Sequence, residues 1–447
     1  MEKVSRKHLL LVSLMIFSMF FGAGNLIFPP QLGQLSGTHL LKSLMGFLLS
    51  AVGLPVLAIA VVAKAGGLHV LASRVHPRFA FGFTILIYLS IGPFLGIPRA
   101  ASLAFEMGIL PFLSNELSSS KFPLFMYTLI FFTITFWLCL APSKLVDRFG
   151  KVLTPVLLLL MISIFITNLF NPIGNFTPPT GDYINFPILK GFLDGYMTMD
   201  AIAALNFGIV ISNALKTMGI TKKKYLVSNS IKAGAIAGLF LTIIYGMLAY
   251  LGAVSNVNAN STENGAQVLT KVVFDLFGKK GSLLLGLIFS LACLTTSVGL
   301  LTSCSQYFEQ LIPKVSYKTW VVFLSFSSII FANVGLTQIL KISIPMLTAI
   351  YPVAIVLIFL ELISQIFKEN SIVYLFSIVC TSIVSILDAL GQFGIKFTLL
   401  NYLPLYSKGL GWIVPAIAGI LIGCIYEKLK IRESQQNSPL NLKKSRI

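Results

Sequence analysis

Apolar residues run along this chain in long stretches, with polar residues gathered in short segments between them. Stretches long enough to cross a bilayer as a helix, about 20 residues, fall at 8–34, 40–62, 79–108, 122–142, 152–170, 191–214, 226–250, 281–307, 319–338, 342–365, 371–390 and 409–427. They predict an all-α polytopic membrane protein with about twelve transmembrane helices. The weakest division is in 319–365, where only GLTQILKIS separates two runs. The first run begins like a secretory signal, but no small-residue cleavage site follows cleanly. Its apolar stretch continues to about Pro29, so it reads as a retained first span.

Composition supports lipid as the solvent. Of 447 residues 56% are hydrophobic and 11% charged, with a mean hydropathy of +0.88, whereas soluble domains carry about 25% charged residues. The net charge of +18 would suggest nucleic acid in a soluble protein, but here it follows the membrane. With the N-terminus cytoplasmic, 22 Lys and Arg residues fall in inside segments and 9 in outside segments or helix ends. That bias predicts an even number of spans with both termini cytoplasmic, and it accounts for the charge without nucleic acid. The basic tail, 428–447, is a topology signal placed to meet anionic headgroups. The outside segments 171–187 and 255–266 are polar and poor in Lys and Arg; the first is rich in Pro, Gly and Asn and should be irregular. Asn260-Ser261-Thr262 fits a glycosylation acceptor pattern too short to carry weight. Cys139, Cys293, Cys304, Cys380 and Cys424 lie in or at the ends of apolar runs without metal-site spacing, and read as apolar filling.

Four clusters interrupt the apolar pattern. FFGAGNLIFPP (20–30) places Gly22, Gly24, Asn25 and Pro29 inside the first run. A continuous helix gains nothing from them. A broken one does, because unwinding frees carbonyls for a cation and exposes N–H groups to an anion such as a carboxylate. Close helix packing on small residues is the competing reading. LKGFLDGYMTMDAIAALNFG (189–208) carries Asp194 near the outer edge and Asp200 deeper, around Gly195, Tyr196 and Thr198. A carboxylate at membrane depth is paired or functional. This second interrupted span opens the second half of a ten-helix core, the position where paired broken helices mark a site. LACLTTSVGLLTSCSQ (291–306) sets Thr295, Thr296 and Ser297 side by side, then Ser303 and Ser305. Adjacent hydroxyls suit Na+, but each could instead bond back to its own helix. IGPFLGIPRAASLAFEMG (91–108) is interrupted by Pro93 and Pro98, and carries Arg99 and Glu106 two turns apart on one face. A structural or gating charge pair is the leading reading there; a partner on another helix for either charge, and a direct part in solute binding, are the alternatives. Tyr88 lies just before this break, while Glu309, Glu361 and Asp388 are near span ends within reach of water. No nucleotide-binding GxxxxGK[ST], no HExxH and no Ser/His/Asp arrangement occurs, so neither an enzyme nor an ATP-driven pump is expected.

Together FSMFFGAGNLIFPP, IGPFLGIPRAASLAFE, LDGYMTMDAIAALNFG and LACLTTSVGL, in this order, resemble the bacterial branched-chain amino acid carriers of the LIVCS family across essentially the whole chain. These carriers sit within the amino acid-polyamine-organocation and neurotransmitter:sodium symporter-like superfamily. The resemblance implies uptake of leucine, isoleucine and valine across the bacterial inner membrane, driven by Na+ or alternatively H+, with no other cofactor. It implies a LeuT-like fold of two inverted five-helix repeats with broken first and sixth helices, 1–170 and 191–365. An extracellular loop at 171–190 separates them, and two more helices follow at 366–427. It further implies a substrate site at Gly22, Ala23, Gly24, Asn25 and Phe28-Pro29, to which the second cluster adds Tyr196 and Asp200 as candidates. A Na+ site is implied at the carbonyls of Ser18, Phe21 and Ala292 and the hydroxyls of Thr295 and Thr296. A facilitator, a carrier of another small solute, and a membrane sensor remain alternatives; the lack of a soluble output region argues against the last.

Overall fold

The computed structural model describes residues 5–118, 120–255, 262, 264–365, 371–395 and 397–436. Asn260, Ser261, Lys368, Lys396 and the tail beyond 436 lie outside that set. Every long element is helical. In chain order they are α1 (Arg6–Phe20), α2 (Ala23–Ser36), α3 (Leu40–Leu48), α4 (Leu54–Ala65), α5 (Leu68–Ser73), α6 (Pro77–Leu89), α7 (Gly96–Gly108), α8 (Asn115–Ser118), α9 (Phe122–Cys139) and α10 (Thr154–Phe170). There follow α11 (Pro187–Tyr196), α12 (Asp200–Thr217), α13 (Lys223–Ala253), α14 (Gly265–Phe277), α15 (Lys279–Leu311), α16 (Tyr317–Ala332), α17 (Leu336–Leu362), α18 (Ser371–Gln392) and α19 (Ile413–Gln436).

Among the described residues eight helices are long and apolar enough to cross a membrane, or nine if the bent pair α11–α12 is one span. Three of the twelve expected spans are missing from that count, for visible reasons. The run 8–34 breaks after Phe20 into α1, 15 residues long, and α2, which continues with 40–62 as one 43-residue apolar stretch, Ala23–Ala65. The run 319–338 becomes α16, only 16 residues long. The run 409–427 becomes α19, which meets Glu427, Lys428 and Lys430 before eighteen apolar residues are complete. Large apolar side chains such as Leu159, Phe170 and Leu283 stand outward and exposed, the surface that lipid rather than water accommodates. The chain is thus a multi-pass membrane protein. Of 171–187, expected to be irregular, 171–180 has no regular structure, whereas Gly181–Tyr183 forms a 3-10 turn and Pro187 opens α11; the segment is tied down by Thr180 N–H to Leu35 O at 2.8 Å and Thr38 N–H to Thr177 O at 3.0 Å. Helix α14 was not foreshadowed by any apolar run. It buries Val268, Leu269, Val272 and Val273 along one face, and the Asn264 side chain caps it by accepting from Ala266 N–H and Gln267 N–H.

The helices divide into two units. The first comprises 1–67 and 86–344, the second 68–85 and 345–447. In the first, α2 lies against α13 so closely that a Cβ on Gly33 would fall 1.9 Å from the Ala249 carbonyl oxygen. Only glycine permits that approach. In the second unit α18 and α19 pack antiparallel, Gly419 against Ser377 and Gly423 against Val373. Glu361 does not face water: it is fully buried and meets Arg74 at 2.5 Å, with the Tyr374 hydroxyl donating to it at 3.3 Å. Its position near a helix end suggested solvent, but the short segment around α5 supplies a guanidinium instead. Glu361→Ala should therefore destabilise this unit by about 3 kcal/mol, because removal of one partner strands a buried charge. The measurement is the thermal unfolding midpoint in detergent, and an unchanged midpoint would show the pair to be dispensable.

Candidate functional site

Both expected interruptions occur, and the fold brings them together. Helix α1 stops at Phe20; Phe21 (ψ 85°) and extended Gly22 carry the chain to a new helix beginning at Ala23. One cause is visible at the break itself: Gly22 faces α15, where a Cβ would come within 2.6 Å of Thr296 Oγ1. Further on, Pro29 and Pro30 sit inside α2 and lack N–H groups, which strips the Asn25 and Leu26 carbonyls of their helical donors. The new start is closed by Asn25 Oδ1, which accepts from Gly22 N–H at 3.3 Å. The second break lies between α11 and α12, which bend by 42°. Met199, just before Asp200, has φ 70°, a left-handed conformation that costs a non-glycine residue about 1–3 kcal/mol and is held only where the surroundings demand it. The Thr198 hydroxyl donates to Gly195 O at 2.8 Å across the same turn.

Asn25 joins the two breaks. Its Nδ2 donates to Asp200 Oδ2 at 2.6 Å and also contacts the Tyr245 hydroxyl, which itself donates to Asp200 Oδ2 at 2.9 Å. Asp200 is 2% exposed, so these hydrogen bonds replace water for a carboxylate at membrane depth. Tyr245, on α13, was missed by the sequence reading. Its signal is a tyrosine hydroxyl, beside that of Thr242, in the apolar run LTIIYGML, which a helix-packing tyrosine shares.

Arg99 enters from α7. Its Nη2 donates to the Met197 carbonyl at 3.1 Å, Nη1 lies 3.1 Å from Met199 Sδ, and the guanidinium stands 5.6 Å from the Phe28 ring centre. Between these groups is a cavity of about 30 Å3, room for roughly one water. Gly22, Gly24, Asn25, Arg99, Asp200 and Thr296 form its polar wall, with Met19, Phe20, Ile91 and Leu300 on its apolar side. Ala23 also lines it. Tyr196 does not; it is buried with its ring edge-on to Phe192 at 5.1 Å. Asp194 is engaged elsewhere, by Lys190 at 2.6 Å and by the Tyr183 hydroxyl. Burial and that carboxylate hold the Tyr183 hydroxyl above the ordinary tyrosine range. Glu106 stays apart from Arg99 and lines a groove with Gln267, Thr270 and Lys271. The two charges that share a helix face in the sequence are therefore not a pair: Arg99 turns into the cavity.

The adjacent hydroxyls reach the first break. Thr295 Oγ1 lies 2.9 Å from the Ser18 carbonyl and 3.0 Å from that of Ala292, and Thr296 Oγ1 lies 3.4 Å from Ser18 O. Four expected oxygen ligands are thus gathered at one point, all uncharged, as an alkali cation accepts. Phe21 sits at the break itself, its N–H donating to Phe17 O at 2.8 Å. No cluster of three His, Cys, Asp or Glu side chains suited to a metal ion occurs among the described residues. Ser303 is drawn elsewhere, its hydroxyl donating to Asn206 O at 2.7 Å.

Comparison with known proteins gives a consistent outcome. Among solved structures, the chain has the fold of MHP1, a nucleobase-cation-symport-1 family transporter, with a TM-score of 0.58 at 13% identity over 93% of this chain and 91% of that one. It also has the fold of MhsT in complex with L-phenylalanine, with a TM-score of 0.58 at 15% identity over 94% and 98%. In sequence, it is 46% identical to the branched-chain amino acid permease BrnQ of Bacillus subtilis over 97% of this chain and all of that protein. It is 40% identical to the branched-chain amino acid transport system 2 carrier protein of Pseudomonas aeruginosa over 94% and 96%. Residues 5–430 match the family described as branched-chain amino acid transport protein. With two broken helices meeting at a buried polar cavity, and with these matches along nearly its whole length, the chain belongs to the branched-chain amino acid transport protein family.

Proposed function

We propose that this secondary transporter of branched-chain amino acids is a Na+ symporter, importing leucine, isoleucine and valine through the cavity between its two broken spans. The observation that carries this reading is the convergence of both breaks on the Asn25–Asp200–Tyr245 hydrogen bonds. There, backbone groups freed from helical pairing face the same small space as a buried carboxylate.

The substrate carboxylate meets the unpaired N–H groups at the start of α2, near Gly24 and Asn25. Its ammonium is held by Asp200 and by carbonyls freed between α11 and α12. The aliphatic side chain lies on Met19, Phe20, Ile91 and Leu300. One methylene alters affinity there by only about 1–3 kcal/mol, so the three branched-chain side chains share the pocket. Na+ is taken at the carbonyls of Ser18, Phe21 and Ala292 with the hydroxyls of Thr295 and Thr296; both hydroxyl protons turn away so that each oxygen accepts. Binding there ties α15 to the break in α1. The ion drives the transporter toward the loaded state only as far as it binds that state more tightly. H+ is the alternative coupling ion. The topology in this reading is twelve spans, with inverted repeats at 1–170 and 191–365, the extracellular loop 171–190 and two further spans in 366–427. The tail 428–447 and the N-terminus are then cytoplasmic at the bacterial inner membrane.

The test is radiolabelled leucine uptake into proteoliposomes under an imposed Na+ gradient and then an imposed H+ gradient. Accumulation with inward Na+ alone, competed by isoleucine and valine, is expected; accumulation with H+ alone would remove the sodium assignment, and mere equilibration would mark a facilitator. Thr296→Ala should raise the Na+ concentration for half-maximal uptake about tenfold or more, the loss of one direct ligand, with little change in the amount of folded protein. An unaltered Na+ dependence would exclude Thr296 from the site.

A further inference from the structure

We infer that Arg99 is a direct substrate ligand, the anchor of the α-carboxylate, so that the cavity recognises a zwitterion between one fixed cation and one fixed anion. The inference rests on the reading of the cavity as the amino-acid site and deepens it.

Arg99 is 3% exposed, and among the described residues no carboxylate pairs with it. Its contacts are a carbonyl, a thioether and an aromatic face, while its Nε has no hydrogen-bond partner. These are dipoles and a weak acceptor rather than an anion. A cation at membrane depth is costly unless an opposite charge meets it or the site uses it. Glu106, the nearest acid along its own helix, lies outside the cavity, and Asp200, on the same cavity wall, attracts Arg99 through space, though among the described residues no ion pair joins them.

The position of the guanidinium points to what it receives. A Cβ on Gly24 would lie 2.8 Å from Arg99 Nη2, so the guanidinium rests on the first turn of α2. There the helix N-terminus presents its own N–H groups. A planar fork of donors and a helix N-terminus directed at one place form a carboxylate site of two independent parts. Asp200 on the same cavity offers the complementary charge. A zwitterionic α-amino acid satisfies both, whereas an amine or a carboxylic acid alone leaves one buried charge without a partner. Because a carbonyl and a thioether hold Arg99 only weakly, the side chain can exchange them for the substrate as the small cavity widens.

The experiment compares leucine with leucinamide, which keeps the ammonium and side chain but replaces the carboxylate with a neutral amide. Binding is read on purified full-length protein as the rise in thermal unfolding midpoint against ligand concentration. In the unaltered protein leucine should bind at least about 30-fold more tightly than leucinamide, the scale of stranding one buried charge. In Arg99→Gln that preference should fall to about threefold or less, through loss of leucine affinity with leucinamide nearly unchanged. Arg99→Lys, which keeps the charge but not the fork, should retain an intermediate preference. Full retention of the leucine preference in Arg99→Gln overturns the inference. If that variant does not fold, Arg99→Lys decides: an intermediate preference supports the anchor, and one equal to the unaltered protein overturns it. Absence of any stabilisation of the unaltered protein by leucine overturns the amino-acid site itself, a different outcome from failure of Arg99.

Discussion

Asp200→Asn is expected to lower leucine uptake by about 30-fold or more while leaving the protein folded in the membrane. The two effects separate because of what the carboxylate does. Structurally, Asp200 Oδ2 accepts from Asn25 and Tyr245, and an amide oxygen of the same shape can accept both bonds. The fold therefore keeps its hydrogen bonds, and the loss is confined to about 1 kcal/mol for the weaker, uncharged acceptor. In the proposed function, the amide carries no charge for the substrate ammonium, and removing one partner of a buried charge pair costs about 2–5 kcal/mol of binding, equivalent to about 30-fold to several thousand-fold. Asp200→Ala is the contrasting variant. It strands two buried donors and should reduce the amount of folded protein as well. Uptake by Asp200→Asn at the rate of the unaltered protein would make the carboxylate dispensable and leave its hydrogen bonds as its only role.

Gly24→Ala should be nearly as damaging, for steric reasons alone. The added Cβ would lie 2.8 Å from Arg99 Nη2 and 2.9 Å from Thr198 Cα. The arginine can swing aside. The Thr198 backbone cannot, since it belongs to the strained turn before Asp200, next to Met199 at φ 70°. Relief requires the two breaks to separate, at a cost of about 1–3 kcal/mol or more of overpacking. Separation also pulls Asn25 from Asp200. Uptake should fall by at least about tenfold, with the helical circular dichroism of the purified protein unchanged. Retained uptake would show that the breaks tolerate separation, contrary to the close contact at Gly24.

Much of the site was legible because its chemistry disagrees with its surroundings. Gly22, Gly24, Asn25 and Pro29 make no sense as an uninterrupted apolar helix, and Asp200 makes none as a lipid-facing residue. Both conflicts exist before any tertiary structure is known, and both marked chain breaks. The paired hydroxyls of Thr295 and Thr296 stood out in the same way, and the fold sets them beside Ser18 O, a neighbour that the family resemblance, not the hydroxyl pattern, had named. The family could also be recognised from these segments, since their order along the chain is itself information.

What stayed hidden depends on neighbours distant in sequence. Arg99 and Glu106 share a helix face, and helical periodicity alone pairs them. Only the approach of the turn at Met197–Met199, about 100 residues later, turns the guanidinium away from Glu106 and into the cavity. Tyr245 is a tyrosine in an apolar run until α13 lays it on Asp200. Glu361, placed where solvent was expected, is buried because Arg74 arrives from another part of the chain. The sequence by itself determined that lipid surrounds much of the chain and where two of its helices break, because hydropathy and backbone capacity are properties of the local residues. Tertiary structure decided which charge meets which partner, because an ion's free energy at membrane depth is set by the few groups packed against it.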